Sequence, residues 1–203
     1  MISLSSYESL VDKIANFALP LTENMDLDDY LDDFFGVSES QLADQYLNND
    51  QEELFWEWFW YDVPFLMNKT IVETYIIEHE ENLNPEETEY LIGLQKSYRS
   101  CFRVLEVKKN NGLLIEDMFT IEKFMITEIK GSRYFMSGDV LFARIVPLKT
   151  RNVLPASITI LKNVDFQKIQ HSVEVELRLL GPNMDKKVFL KRNGGILYQQ
   201  LFE

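Results

Sequence analysis

The densest group of side chains able to do chemistry is an acidic cluster, Asp26, Asp28, Asp29, Asp32 and Asp33. On a helix Asp28 and Asp32 share one face, as do Asp29 and Asp33. Hard cations take several oxygen ligands, so a magnesium or calcium site is conceivable. The spacing lacks the glycine and distal glutamate of a calcium loop, and no second acidic motif matches it. A solvated acidic face is the better reading, and no metal site is assigned. Cys101 is the single cysteine. One thiol excludes an intramolecular disulfide and a four-cysteine zinc site. Arg99 and Arg103 stand two residues to either side, and such charges lower a thiol pKa. The apolar, strand-like setting nevertheless reads as a buried small hydrophobe. His79 falls among Glu78, Glu80 and Glu81 on what reads as a solvated helix, and His171 has no partner that sequence shows. There is no Gly-x-Ser-x-Gly elbow and no phosphate-binding glycine loop. The reading leans away from an enzyme and from a bound cofactor.

Two other constellations suit binding. The run Phe55-Trp56-Glu57-Trp58-Phe59-Trp60-Tyr61 is apolar nearly all round at helical spacing. Such a helix is normally sandwiched between layers, which makes it a buried strut joining the helical half to the β half. The sharper alternative is an exposed Trp56/Trp60 patch that anchors a partner. Later in the chain Arg99, Arg103, Lys108, Lys109, Lys123, Lys130 and Arg133 interleave with Tyr98, Phe102, Phe124, Tyr134 and Phe135. Small barrels that bind nucleic acid combine a basic groove with aromatic platforms. No RNA-recognition motif, zinc finger or helix-turn-helix accompanies them, and a pI near 4.6 opposes non-specific phosphate binding.

The elements that must position these groups divide near residue 98. Capping patterns at Ser5/Glu8, Ser38/Gln41, Asp50/Glu53, Thr70/Glu73 and Asn84-Pro85 open helices. Pro20, Gly36 and Pro64 close three of them. Beyond Ser97, strand-like runs surround the turn signals Asn110-Asn111-Gly112, Gly131-Ser132 and Ser137-Gly138-Asp139. About five short strands at this spacing predict a small, strongly bent antiparallel sheet or barrel. From Asn163 a helix resumes and stops at Gly181-Pro182, although Val173, Val175, Leu177 and Leu179 also alternate as a strand would. The tail reads as a helix, a glycine break and a short helix, with a hairpin at Asn193-Gly194 as the competing reading. The predicted class is α+β: an acidic helical region (1–97) packed on a small antiparallel β module (98–162), then a mainly helical segment (163–203), all one cooperative unit.

Charge follows the same division. The 203 residues carry a net charge of −13. Residues 1–95 hold 22 acids against Lys13 and Lys69, whereas residues 96–203 hold 11 acids and 18 bases. Such asymmetry predicts two oppositely charged faces or modules. Nothing resembles a secretory signal or a membrane span, so a reducing cytoplasm is the expected compartment.

The order Trp58-Phe59, Asp62-x-Pro64, Thr70-x-x-Glu73, Ser97-Tyr98-x-Ser100, Phe102-x-Val104, Asp117, Gly138-Asp139 and Arg144 resembles a group of uncharacterised bacterial proteins. In that group a helical region precedes a compact β module. Some members end in a SEC-C zinc motif, which this chain lacks. The resemblance implies an architecture and a bacterial cytoplasmic setting, and no activity. Together these observations predict a non-catalytic interaction or adaptor module. Its acidic face (Asp28, Asp29, Asp32, Asp33) and Trp56 and Trp60 would meet a basic protein. Nucleic-acid binding by the basic β half and a carboxylate-metal enzyme are the alternatives.

Overall fold

The computed structural model describes residues 4–23, 25–36, 49–65, 67–108, 111–127, 134–155, 158–181 and 183–202. Two compact units emerge, one of Met1–Asp32 with Val37–Lys96 and one of Asp33–Gly36 with Ser97–Glu203. The chain is α+β, as the sequence predicts.

The first unit is helical: α1 (Leu4–Thr22), α2 (Asp28–Phe35, shared with the second unit), α3 (Asn49–Tyr61), α4 (Ile71–His79), a 3-10 turn (Glu80–Asn82) and α5 (Pro85–Lys96). Leu10, Ile14 and Ala18 recur every four residues on α1 and are buried. The helix does not stop at Pro20 but runs through it to Thr22. The Thr22 hydroxyl turns back onto the carbonyls of Ala18 and Leu19, both at 3.2 Å, inside that last turn. Two starts form as the sequence predicts. Thr70 and Glu73 exchange side-chain and backbone bonds in a capping box. Asn84 accepts from the amides of Glu86 and Glu87, each at 3.0 Å, ahead of Pro85. The Ser5/Glu8 side chains and the helix expected after Ser38, with Leu42, Tyr46 and Leu47, lie outside the described residues.

The second unit holds a curled seven-stranded half-barrel: β1 (Arg99–Lys108), β2 (Gly112–Asp117), β3 (Lys123–Ile126), β4 (Val140–Arg144), β5 (Val146–Pro147), β6 (Asn152–Val153) and β7 (Thr159–Leu161). Their order is β5-β6-β3-β2-β1-β4-β7. The expectation of about five antiparallel strands needs correcting. β5 and β6 are two-residue strands without an alternating pattern, and β3 pairs with β6 in parallel. The β1/β2 register slips between Val104 and Glu106, a bulge that bends the strand and tightens the curl. The concave core is Phe102, Val104, Leu113, Ile115, Ile126, Leu141, Ala143 and Ile145. Cys101 and Phe142 pair across β1 and β4 on the opposite face, where the ring of Tyr198 packs against Phe142 at 5.2 Å.

Three helices follow: α6 (Asn163–Leu180), α7 (Lys186–Arg192) and α8 (Gly195–Phe202). Helix runs through 172–180, because Phe166, Ile169 and Val173 set a helical stripe while Val175 and Leu179 face out. Gly181, at φ 96°, ends it. The tail is likewise helical. Asp185 caps α7 by accepting from the amides of Lys187 and Val188, so no hairpin forms at Asn193. Residues 33–36 belong with these helices: Phe34 is fully buried, its ring 4.5 Å from that of Tyr198, and Gln199 donates to the Asp33 carbonyl.

Candidate functional site

Four places hold the side chains that chemistry or binding would need. The first is α2. Asp28, Asp29 and Asp33 are exposed, and Asp32 is half-buried with its Oδ1 enclosed and without a hydrogen-bond partner among the described residues. Asp26, just ahead of the helix, accepts from the amide of its first residue, Asp28, at 3.1 Å. Asp28 and Asp29 then sit in its first turn, where the helix dipole favours negative charge. Among the described residues no three carboxylate, imidazole or thiol groups gather as a metal ion would require.

The second is α3. Phe55, Trp58 and Phe59 are buried, whereas Trp56 and Trp60 are each half-buried with their rings 5.8 Å apart. The Trp60 indole N–H is enclosed with no acceptor among the described residues. Trp56 and Trp60 therefore form a pair in partial contact with solvent, between the fully buried and the fully exposed alternatives.

The third is the basic set of the β unit. Arg103, Glu116 and Lys123 lie side by side across β1, β2 and β3. The acid separates the two bases, and Lys123 approaches it to 3.7 Å. Lys108 is half-buried, and Lys109, Lys130 and Arg133 lie outside the described residues. Arg99 is 1% exposed, its guanidinium over the rings of Phe142 (5.0 Å) and Tyr198 (5.6 Å). It stands opposite Arg144, also buried, which donates to the Ser97 hydroxyl at 3.1 Å.

Polar interior groups of the same unit do structural work. Asp117 is fully buried. One carboxylate oxygen accepts from the amides of Phe119 and Thr120, the other from the Tyr98 hydroxyl at 2.9 Å. Burial and the adjoining Asp117 charge push the Tyr98 phenol well above its ordinary pKa. Burial, with a smaller push from Asp117, likewise raises the Cys101 thiol. Cys101 is 0% exposed, so it is the buried hydrophobe that its strand position predicts rather than a thiolate.

The fourth place is one that sequence reading passed over, a shallow cleft of about 520 Å³ between α1 and the end of α4. Phe17, Tyr75 and His79 form its aromatic wall and Asn16 and Asn82 its amide rim, and Lys13 is its one lysine or arginine among the described residues. His79 is not a bare surface residue. Its ring stacks flat on Tyr75, with centroids 4.4 Å apart, and meets Phe17 edge-on at 5.4 Å. Its Nδ1 lies 3.1 Å from the Tyr75 carbonyl. A carbonyl only accepts, so Nδ1 carries the proton and, in the neutral ring, Nε2 is the free acceptor. Lys13 is held 2.7 Å from Glu87, whose other oxygen takes the Asn84 amide. That hydrogen bond and the Glu87 charge raise the Lys13 pKa. Burial alone would raise the Glu87 carboxyl; the Lys13 hydrogen bond, the Asn84 amide and the Lys13 charge outweigh it and hold the pKa below its ordinary value. The sequence signal was present in outline, since Lys13 is one of two bases in the first 95 residues and Tyr75 and His79 stand one helical turn apart.

Fold and site together define an α+β protein with an acidic helical unit and a half-barrel unit. The chain belongs to a family of unknown function, DUF7986, whose match runs over residues 1–171. That agrees with the expectation of an uncharacterised family and no further, and the match ends inside α6, leaving α7 and α8 beyond it. No curated protein and no solved structure matches the chain significantly.

Proposed function

We propose that this protein is a non-catalytic interaction module whose acidic helical unit engages a basic protein partner. One observation carries the reading: most of the described carboxylates of this unit are exposed to solvent. Asp12, Asp28, Asp29, Glu52, Glu53, Glu78, Glu80, Glu81 and Glu86 are all exposed, and Lys13, Lys69 and Lys96 are the only bases in the first 96 residues. Uncompensated surface charge of one sign costs stability by self-repulsion, and a partner of opposite charge relieves it. It also steers that partner's approach, while apolar contacts set the residence time. The half-exposed Trp56/Trp60 pair supplies such a contact. A basic groove for nucleic acid gains less support, because Glu116 interrupts Arg103 and Lys123 and Arg99 is buried. No helix of the described residues is long and apolar enough to cross a membrane. The resemblance adds a bacterial cytoplasm as the setting.

Capture of partners from native lysate at low and high salt, followed by association kinetics with the captured protein, tests this. The association rate should fall steeply toward physiological ionic strength, where the Debye length is about 8 Å. Replacing Asp28, Asp29, Asp32 and Asp33 together by Asn should lower it further without unfolding the chain. A partner whose association rate ignores both changes would leave the acidic surface with solubility as its role.

A further inference from the structure

We infer that the cleft between α1 and the end of α4 receives an arginine side chain of that basic partner. The inference rests on the proposed function and names the place where the partner's charge is read.

Three features select a planar organic cation. The first is the field. Lys13 is the one lysine or arginine of the lining among the described residues, and its contact with Glu87 at 2.7 Å already offsets it. Glu78, Glu80 and Glu81 are exposed on the adjoining turns, and Asp12 is exposed on α1, so the cleft opens onto negative potential. The second is the wall. The half-buried Phe17 and His79 rings present aromatic surface, and the buried Tyr75 ring backs His79. A guanidinium stacks on such rings through its flat face and is weakly hydrated, whereas an ammonium keeps its water more tightly. The third is the acceptors. With Nδ1 committed to the Tyr75 carbonyl, the neutral His79 ring offers Nε2, and the exposed amides of Asn16 and Asn82 offer carbonyl oxygens whatever the state of the ring. Five guanidinium N–H donors can use several of these at once. A carboxylate ligand would meet surrounding acids, and a neutral one would leave the field unused.

Titration of the intact protein with hexa-arginine and hexa-lysine peptides at low salt, by calorimetry and by NMR of side-chain amides and imidazole, tests the inference. Hexa-arginine should bind more tightly than hexa-lysine, with saturable shifts at Asn16, Asn82 and His79. Asn16 and Asn82 are exposed, so replacing them should leave the fold intact. Asn16→Lys and Asn82→Lys should each weaken hexa-arginine by about three- to five-fold, the effect of one unit charge some 5 Å away in a water-like dielectric. Asn16→Asp and Asn82→Asp should strengthen it by a similar factor. If the peptides bind with salt dependence but ignore these four variants, or if lysine and arginine bind alike, the arginine site is wrong and the acidic partner surface stands. If neither peptide binds at low salt, the partner reading itself falls.

Discussion

Removing the Asp117 carboxylate tests whether the polar interior of the half-barrel holds the fold. Asp117 accepts from two amides and one phenol, at 2.8, 3.0 and 2.9 Å, with no exposure to solvent. Asp117→Ala strands all three donors. Leaving a buried donor unsatisfied costs about 1–3 kcal/mol, and Tyr98, only half-buried, can recover part of its share from water. The expected loss is about 3–5 kcal/mol. Asp117→Asn keeps an acceptor for the two amides and offers its own N–H to the Tyr98 oxygen, so about 1–2 kcal/mol is expected. Tyr98→Phe removes one bond and should cost about 1 kcal/mol. Urea unfolding followed by far-UV circular dichroism reads these differences. Tryptophan emission is the wrong probe, because Trp56, Trp58 and Trp60 all lie on α3. An Asp117→Ala loss below 1 kcal/mol, or no larger than that of Asp117→Asn, would refute the reasoning. So would faster amide exchange confined to residues 117–122 with an unchanged midpoint.

Ile121 closes the same turn at φ 63°, an uncommon conformation for a β-branched residue, and it is exposed. Ile121→Gly should therefore stabilise the chain by about 0.5–1 kcal/mol, and a lower urea midpoint would contradict this. Cys101 should react with a thiol reagent slowly in the native protein and at once in denaturant; comparable rates would show an exposed thiol. The Glu87 carboxyl has a folded pKa below its ordinary value, so its contribution is present above about pH 4.3 and is lost as pH falls through the folded value. The stability gap between the native chain and Glu87→Gln should accordingly narrow between about pH 5 and pH 3, and a constant gap would exclude the linkage.

The parts of the fold legible in the sequence were those specified by local chemistry. The boxes at Thr70/Glu73 and Asn84 are closed by residues three apart, so they form wherever the helix forms. Gly112 and Gly138 mark turns because each adopts a positive φ. What escaped depends on partners distant along the chain. Pro20 is accommodated near the end of α1, a context that its own identity does not reveal. β6 is two residues long and is recruited by β3 and β5. Phe34 is buried against Tyr198, 164 residues later, a partner that local pattern does not name. Similarly, Arg99 was read with its exposed neighbours because alternation places it on the face of Arg103. The rings of Phe142 and Tyr198 cover only the Arg99 end of that strand.

The use made of the interior charges bears on function. Asp117 spends its oxygens on a turn and a phenol, Glu87 on a helix cap and Lys13, and Arg144 reaches Ser97. A general acid or base needs a pKa near the working pH and a proton path to substrate. The Tyr98 phenol and Cys101 thiol are instead pushed up, deeper into their neutral forms. On the surface of the helical unit the exposed charged groups are mostly carboxylates. That distribution suits recognition by charge and stacking better than bond-making. It also fits the proposed binding role for a chain with two histidines, one buried thiol and 33 acids, a role that no short motif announces.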